Sequence, residues 1–168
     1  MNFYKRSINK QSRYFKRVLG VLREYDTRGY FHENHGHREA WPKTAKIFIG
    51  MKLEDVEGGT GKNDSIQSFL SGVCHELAHV LNYRNKKYYK YHNMGPKTRY
   101  TKKLVQNWIR TGYKAERYTD KVGAQLMKKH FPGIPYLLAY QGRHGYIWYQ
   151  ENYLKDLYGF MRGEISYD

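Results

Sequence analysis

The stretch Ser71-Gly-Val-Cys-His-Glu-Leu-Ala-His-Val-Leu-Asn82 decides the fold, because it contains the pattern His75-Glu76-x-x-His79. On an α-helix, positions i and i+4 lie above one another on the same face, so both imidazoles can reach one metal ion. Glu76 projects about 60° to 100° round the helix from the histidines, where its carboxylate can accept a proton from a metal-bound water molecule. The pattern therefore predicts a zinc site with Glu76 as general base.

The residues around this pattern predict a helix with one apolar side. Apolar side chains recur there at helical spacing, at Ile66, Phe69, Leu70, Val73, Leu77, Val80 and Leu81. At about 100° per residue, His75 and His79 fall on the opposite side, which we expect to line a cleft. Asp64 followed by Gln67 predicts the N-cap and capping box of this helix. Cys74, the one cysteine, is expected to be a small buried hydrophobe, and its being alone excludes an intrachain disulfide.

The chain before this helix predicts one helix, a loop and one strand. Residues 2–25 are basic with an apolar edge and predict a helix. Residues 26–44 predict a polar surface loop, although His32, His35 and His37 fall there. Clean alternation from Ala45 to Leu53 predicts a strand directly before the zinc helix. Resemblance to zinc peptidases with a His-Glu-x-x-His helix implies that this strand is the edge of a sheet, where it could receive an extended peptide.

The chain after this helix predicts two consecutive helices. They are expected over residues 97–111 and 113–129, with Gly112 ending the first. Phe131-Pro132-Gly133 is expected to end the second. Residues 153–161 are expected to form a further helix.

A catalytic zinc ion usually has three protein ligands and one open position, so a third ligand must be found. Glu116 and Asp120 are four residues apart on one face of a predicted helix. Glu116 can bind zinc, and Asp120 can accept a hydrogen bond from a ligand imidazole. The combination of His-Glu-x-x-His with a downstream Glu-x-x-x-Asp resembles the gluzincin metallopeptidases, the thermolysin-like clan. The resemblance implies that His75, His79 and Glu116 are ligands, that Glu76 is the general base, and that Asp120 orients His75.

His92 is the alternative third ligand. The segment Tyr91-His92-Asn-Met-Gly95-Pro96, with a basic helix after it, resembles the third-ligand region of SprT-like metalloproteases, which act on DNA-associated proteins. Asn93 departs from the glycine that this family has after the histidine, and no zinc-ribbon cysteines follow. We favour Glu116, because it brings its own second carboxylate.

Peptide hydrolysis also needs a group that donates to the developing oxyanion. Thermolysin-like enzymes use a tyrosine and a histidine from outside the zinc helices. By that resemblance, Tyr113 and His144 are candidates by residue type, although no local motif fixes either residue.

The charge pattern suggests a second kind of partner. The chain carries a net charge of +15 over 168 residues, and no acidic residue falls between Glu76 and Glu116. Cations interleaved with aromatic rings suit phosphate contact and base stacking. The basic, Tyr-rich stretch 83–114 is therefore a candidate for contact with nucleic acid.

Targeting signals are not visible in the sequence. The segment from Met1 to Arg17 is basic and lacks the apolar region of a signal peptide. No run reaches the roughly 18 apolar residues of a membrane span. We therefore expect a cytoplasmic protein.

Together these expectations describe a small zincin-like α+β domain over residues 1–168, with its core at about 45–130. It would contain an edge strand, an active-site helix, a second metal-ligand helix and peripheral basic helices. The expected activity is zinc-dependent hydrolysis of a protein or peptide substrate, with Zn²⁺ as cofactor. Two alternatives stay open: an SprT-like protease acting on nucleic-acid-bound proteins, and a non-catalytic basic binding or virion assembly protein with the same fold. The sequence does not fix the oligomeric state.

Overall fold

The computed structural model describes residues 10, 12–33, 37–51, 65–87, 102–138 and 151. The chain divides into two compact units, Met1–Tyr89 with Thr119–Leu138, and Lys90–Tyr118 with Ala139–Asp168. Three α-helices and a three-stranded sheet lie in the described part, so the predicted mixed α+β class is confirmed. A single domain over residues 1–168 stays a prediction.

Helix α1 spans Arg13–Glu24 and begins with a side-chain cap. The hydroxyl of Ser12 accepts a hydrogen bond from the backbone N–H of Phe15 at 3.2 Å, which satisfies one of the free donors of the first turn. Phe15, Val18 and Leu22 are buried, and the basic side chains between them face solvent. The predicted basic helix is therefore confirmed from residue 13 onward, and residues 1–9 and 11 lie outside the described part.

The sheet contains strands β1 (Arg28–His32), β2 (Arg38–Trp41) and β3 (Lys46–Gly50), in the order β1-β3-β2. The predicted strand is confirmed in β3, but its predicted place at a sheet edge is wrong. β3 is central, because β1 pairs with it in parallel and β2 pairs with it antiparallel.

The prediction that residues 26–44 form a loop is also wrong. They contain both outer strands and a 3₁₀ turn at Pro42–Thr44. The strands have only five and four residues and include glycine and charged side chains, so their local propensity is weak. Pairing with β3 supplies the hydrogen bonds that the local sequence does not predict.

Helix α2 spans Ile66–Arg84. Its N-cap is Ser65, whose hydroxyl accepts from the N–H of Ser68 at 3.1 Å, so the prediction of Asp64 as the cap is wrong. Ser65, the residue after Asp64, has the extended backbone that a cap needs, so the helix begins one position later than predicted. The apolar side packs into the main core with Ile47 and Ile49 of β3.

The histidine side of α2 is buried as well, and the cleft expected there stays a prediction. Of its 19 residues, 15 are buried, so the helix is enclosed on nearly all sides. Cys74 is fully buried in the core, as predicted.

Helix α3 runs without a break from Lys102 to His130. The predicted division at Gly112 is wrong, because glycine costs only about 1 kcal/mol inside a helix and no proline follows it there. The predicted stop at Phe131-Pro132-Gly133 is confirmed: the helix ends at His130, and Gly133 adopts a positive φ of 84°. The predicted helix at 153–161 and residues 97–101 lie outside the described part. Among the described residues, no helix combines the length and apolarity that crossing a membrane requires.

Candidate metal centre

A stripe of polar residues follows one side of α2 at every fourth position: Gln67, Ser71, His75 and His79. We call it the polar stripe. The segment that follows α3 forms hydrogen bonds with the polar stripe. Gln67 Nε2 donates to the carbonyl of Pro135 at 2.9 Å. The N–H of Leu137 donates to the hydroxyl of Ser71 at 3.0 Å. These two bonds place Tyr136, which lies between them in sequence, against the next residue of the stripe.

His75 is oriented by two groups that meet at its Nδ1 atom. Asp120 Oδ1 lies 3.1 Å from Nδ1, and the hydroxyl oxygen of Tyr136 lies 3.2 Å from it. A carboxylate can only accept, so Nδ1 carries the hydrogen and the Nε2 atom presents its lone pair. This is the arrangement that metal-binding histidines use, with the distal nitrogen left to the metal.

The Nε2 atoms of His75 and His79 lie 3.2 Å apart. Two nitrogens at about 2.0–2.1 Å from a tetrahedral metal ion are separated by roughly 3.3 Å. The two imidazoles therefore stand at the spacing that a shared ion requires. A hydrogen bond between one protonated and one unprotonated nitrogen suits the same distance, and metal analysis distinguishes the two arrangements.

Glu116 completes a set of three ligand groups. One ligand atom from each of His75, His79 and Glu116 lies within 4.8 Å of the other two. All three side chains are buried, each about 8% exposed. Two imidazoles and one carboxylate are ligands that zinc binds in proteins. Both the ligand types and their spacing therefore suit a zinc ion. Glu116 lies one helical turn before Asp120 on the unbroken α3, so both carboxylates share one helix face.

A buried hydrogen bond fixes the register of α3 against α2. Asn82 Nδ2 donates to the hydroxyl of Thr119 at 3.0 Å, and both residues are almost fully enclosed. Asn82 is seven residues after His75, two turns along the same side. Because Thr119 directly precedes Asp120, this contact helps to hold the carboxylate opposite His75.

Tyr136 is a site residue that the sequence did not reveal. Its hydroxyl donates to Asp120 Oδ1 at 2.8 Å, in addition to its contact with His75. Burial, and then the negative charge of Asp120, raise the pKa of this phenol well above its ordinary value, so it remains a donor. The ring packs over Gly123 of α3, where an added Cβ would lie 2.7 Å from the Tyr136 hydroxyl oxygen and 3.0 Å from its ring.

The sequence carries little signal for this role. Tyr136 is one of 18 tyrosines and is 61 residues from His75. Only the turn at Gly133 indicates that the chain reverses after α3.

Two further side chains of α2, those of Glu76 and Cys74, are buried next to the histidines in sequence. Glu76, which lies between the two histidines in sequence, is buried, and its role as general base stays a prediction. Burial raises the pKa of the Cys74 thiol to about 12, and its sulfur lies 4.0 Å from the sulfur of Met127. The thiol is therefore a protonated, apolar part of the core, and Cys74 is not among the ligand groups that converge beside it.

The remaining predicted site residues are only partly described. Tyr113 lies on α3, half-buried, one turn before Glu116. His92 and His144 lie outside the described residues, as does the middle of the basic stretch 83–114. The oxyanion donor, the alternative ligand and the nucleic-acid contact of that stretch therefore stay predictions.

Comparison with protein-family models, with curated proteins and with solved structures found no match for this chain.

Proposed function

We propose that this chain is a zinc-dependent metallopeptidase of the zincin type, with His75, His79 and Glu116 as the metal ligands. The observation that carries the proposal is the convergence of three buried ligand atoms within 4.8 Å. The Asp120–His75 contact supports it, because a carboxylate behind a histidine favours the tautomer that binds metal. Three protein ligands leave one position open, which is typical of catalytic rather than structural zinc.

The chemistry divides between the ion and the chain. When bound, Zn²⁺ supplies Lewis acidity, which polarises a carbonyl group and lowers the pKa of water towards about 7. Glu76 accepts a proton from the attacking water as the water oxygen bonds to the carbonyl carbon. Glu76 then gives that proton to the amide nitrogen as the C–N bond breaks, which yields a carboxylic acid and an amine. Asp120 and Tyr136 hold His75 in position throughout.

The sheet offers a place for an extended peptide. β2 is an outer strand of the described sheet and packs beside α2, where Arg38 Nη2 donates to the hydroxyl of Ser68 at 3.3 Å. Gly72 leaves room for this side chain, since an added Cβ would lie 2.7 Å from the Arg38 guanidinium. An outer strand can pair with an added chain through its backbone, so β2 replaces β3 as the strand that we assign to substrate.

Metal analysis of variants tests the ligand set. We expect about one zinc per wild-type chain after stripping and reloading. Glu116→Gln is expected to lose most of it, because a neutral amide is a much weaker ligand than a carboxylate. His92→Asn is the matched variant and is expected to keep the metal. A wild-type chain that binds no zinc would overturn the proposal, and loss of zinc only in His92→Asn would transfer it to the SprT-like arrangement.

Catalysis needs a separate test. Glu76→Gln is expected to retain zinc and to cleave a fluorescently labelled, denatured protein about 10²- to 10⁴-fold more slowly than wild type, because the general base is removed. Stoichiometric zinc with no cleavage by the wild-type chain would favour the non-catalytic binding protein instead.

A further inference from the structure

The two faces of the sheet differ in composition. One face packs against α2 through Ile47 and Ile49, which are fully buried. Because side chains alternate along a strand, the intervening residues lie on the opposite face. We call this second surface the outer sheet face, and it consists of Arg28, Tyr30, His32, Glu39, Trp41, Lys46 and Phe48.

Strand pairing arranges this face in rows. Arg28 and Trp41 are the two partners of Lys46, so one row reads cation, cation, aromatic ring. Tyr30 and Glu39 are the two partners of Phe48, which gives a second row next to the first. Aromatic and basic side chains are therefore held side by side on a rigid backbone.

The aromatic rings of the outer sheet face form one connected cluster. Ring centres are 6.4 Å apart for Tyr30 and Trp41, and 6.5 Å apart for Trp41 and Phe48. His32 stacks on Phe48 at 4.2 Å. Tyr30 and Trp41 nonetheless remain 40% and 42% exposed. A connected cluster of exposed aromatic rings is typical of a binding surface, whereas single exposed apolar residues need no explanation.

Positive charge accompanies these rings. Lys46 Nζ lies 5.8 Å from the centre of the Tyr30 ring and 6.0 Å from that of Trp41. Arg28 is exposed beside it, and Glu39 is the one carboxylate on the seven residues of this face. The chain as a whole carries +15, so the surroundings also attract a polyanion.

We propose that the outer sheet face binds single-stranded nucleic acid. Tyr30 and Trp41 provide flat surfaces on which bases stack, and Arg28 and Lys46 neutralise phosphates. A duplex encloses the faces of its bases, so a stacking surface selects single strands. A purely apolar peptide would gain nothing from the two cations, which is why nucleic acid is the favoured occupant. This site uses none of the proposed metal ligands, and it stands or falls independently of the peptidase.

Binding of a fluorescein-labelled oligothymidylate, followed by fluorescence anisotropy, tests the proposal. Trp41→Ala and Tyr30→Ala are each expected to weaken binding on the order of 10-fold, because stacking on one base is lost without any change in charge. Trp41→Leu keeps an apolar side chain of strand-compatible shape and is expected to weaken binding to a similar extent. Lys46→Gln is expected to reduce the slope of log affinity against log salt by about 1.

Matched controls lie elsewhere on the chain. Leu138→Ala removes an apolar side chain that is 48% exposed, and Lys16→Gln removes a cation from the exposed side of α1. Both are expected to bind the oligonucleotide within about 2-fold of wild type. Circular dichroism and urea unfolding of the strand variants establish that they fold.

Three results would overturn the proposal. The first is that the wild-type chain does not bind the oligonucleotide. The second is that the aromatic variants bind it as wild type does. The third is that a duplex of the same length binds as tightly as the single strand. In the last two cases the basic charge acts elsewhere on the chain. If the oligonucleotide does not bind, while an unfolded peptide binds and Trp41→Ala weakens that binding, the occupant is a polypeptide.

Discussion

Two clusters in this protein combine the same three residue types with different results. The first, which we call the metal cluster, is built around the candidate ligand His75. His75 contacts Tyr136 and the carboxylate of Asp120 there. In the second cluster, at the ends of α1 and α3, His130 Nε2 lies 3.1 Å from the hydroxyl of Tyr25, and Glu24 Oε2 lies 3.9 Å from Nδ1. Each cluster therefore has a histidine, a tyrosine and an acid.

The two clusters differ in the burial and the partners of the carboxylate. Asp120 is 2% exposed and contacts His75 and Tyr136 directly. Glu24 is exposed, and Lys129 binds it at 2.8 Å, so the pKa of this acid lies below its ordinary value chiefly through that hydrogen bond. The ring nitrogens of His130 face the Tyr25 hydroxyl and the Glu24 carboxylate. Nε2 of His75 instead faces Nε2 of His79, a second histidine one turn away. Residue types alone therefore do not distinguish the two clusters, and the buried acid and the second histidine are what make the first one a candidate metal site.

The largest difference is expected from the two acids. Asp120→Asn keeps the shape of the side chain but removes the charge that orients His75, so we expect zinc affinity to fall about 10- to 100-fold. Glu24→Gln is the matched variant and is expected to leave zinc affinity unchanged. Competition with a fluorescent chelator measures both. Equal affinities for the two variants would show that Asp120 does not act on a metal ligand.

Substituting alanine for one glycine on each of two helices tests whether the position of Tyr136 matters for the metal cluster. Gly123→Ala would place a Cβ 2.7 Å from the Tyr136 hydroxyl oxygen, so the ring must move away from Asp120. We expect overpacking to cost roughly 1–3 kcal/mol, partly offset by about 1 kcal/mol of helix propensity, and zinc affinity to fall several-fold. Gly20→Ala on α1 meets nothing within 4 Å and is expected to stabilise the chain by up to about 1 kcal/mol. Chemical denaturation and chelator competition report the two effects, and a Gly123→Ala chain with unchanged zinc affinity would contradict the role of Tyr136.

The two tyrosine hydroxyls give a smaller contrast. Tyr136→Phe removes a partly buried donor to the buried carboxylate of Asp120, so the free energy of unfolding of the metal-free chain is expected to fall by about 1.5–3 kcal/mol. Tyr25→Phe removes a hydroxyl whose partners are His130 and the exposed Lys129 rather than a buried carboxylate, and we expect a loss of less than about 1 kcal/mol. Urea unfolding in the presence of a chelator measures both variants. A loss as large in Tyr25→Phe would mean that the two hydroxyls are equally buried in effect.

The metal cluster was more predictable than the sheet because its geometry is local. The i and i+4 rule alone predicts that His75 aligns with His79 and that Glu116 aligns with Asp120, whatever surrounds the helices. That the two pairs meet depends on α3 packing on α2, which the sequence suggests only through the family resemblance. Tyr136 was missed because its contact with His75 depends on how the chain turns after α3 and on the absence of a side chain at Gly123.

The predictions for the outer strands and for the long helix were wrong for a different reason. β1 and β2 are short and contain residues of weak strand propensity, so each depends on hydrogen bonds with β3. β3 follows β2 after the turn at Pro42–Thr44, and it pairs with β1 across the whole of β2. Gly112 is a common helix stop, yet one glycine costs too little to break a helix of 29 residues. For the strands, tertiary contacts outweigh local propensity, and a single sequence does not display them.

The smallest expected effect concerns the protonation of the second cluster. Burial lowers the pKa of His130 below its ordinary value, with Lys129 and Arg17 adding to this effect and Glu24 opposing it. Below about pH 6.5 the unfolded chain therefore binds more protons at this position than the folded chain does. The stability that the neutral histidine contributes is present above that pH and is lost as the pH falls through the lowered pKa.

His130→Gln is accordingly expected to show a shallower fall in the free energy of unfolding between about pH 7.5 and 5.5 than wild type. Urea denaturation at both pH values, with a chelator present so that the metal ligands titrate alike in both chains, measures the difference. The same pair compared above about pH 7.5, where imidazoles are neutral in both states, serves as the control. A steeper fall in the variant would mean that Glu24 outweighs burial, so that His130 is held protonated and the second cluster works as an ion pair.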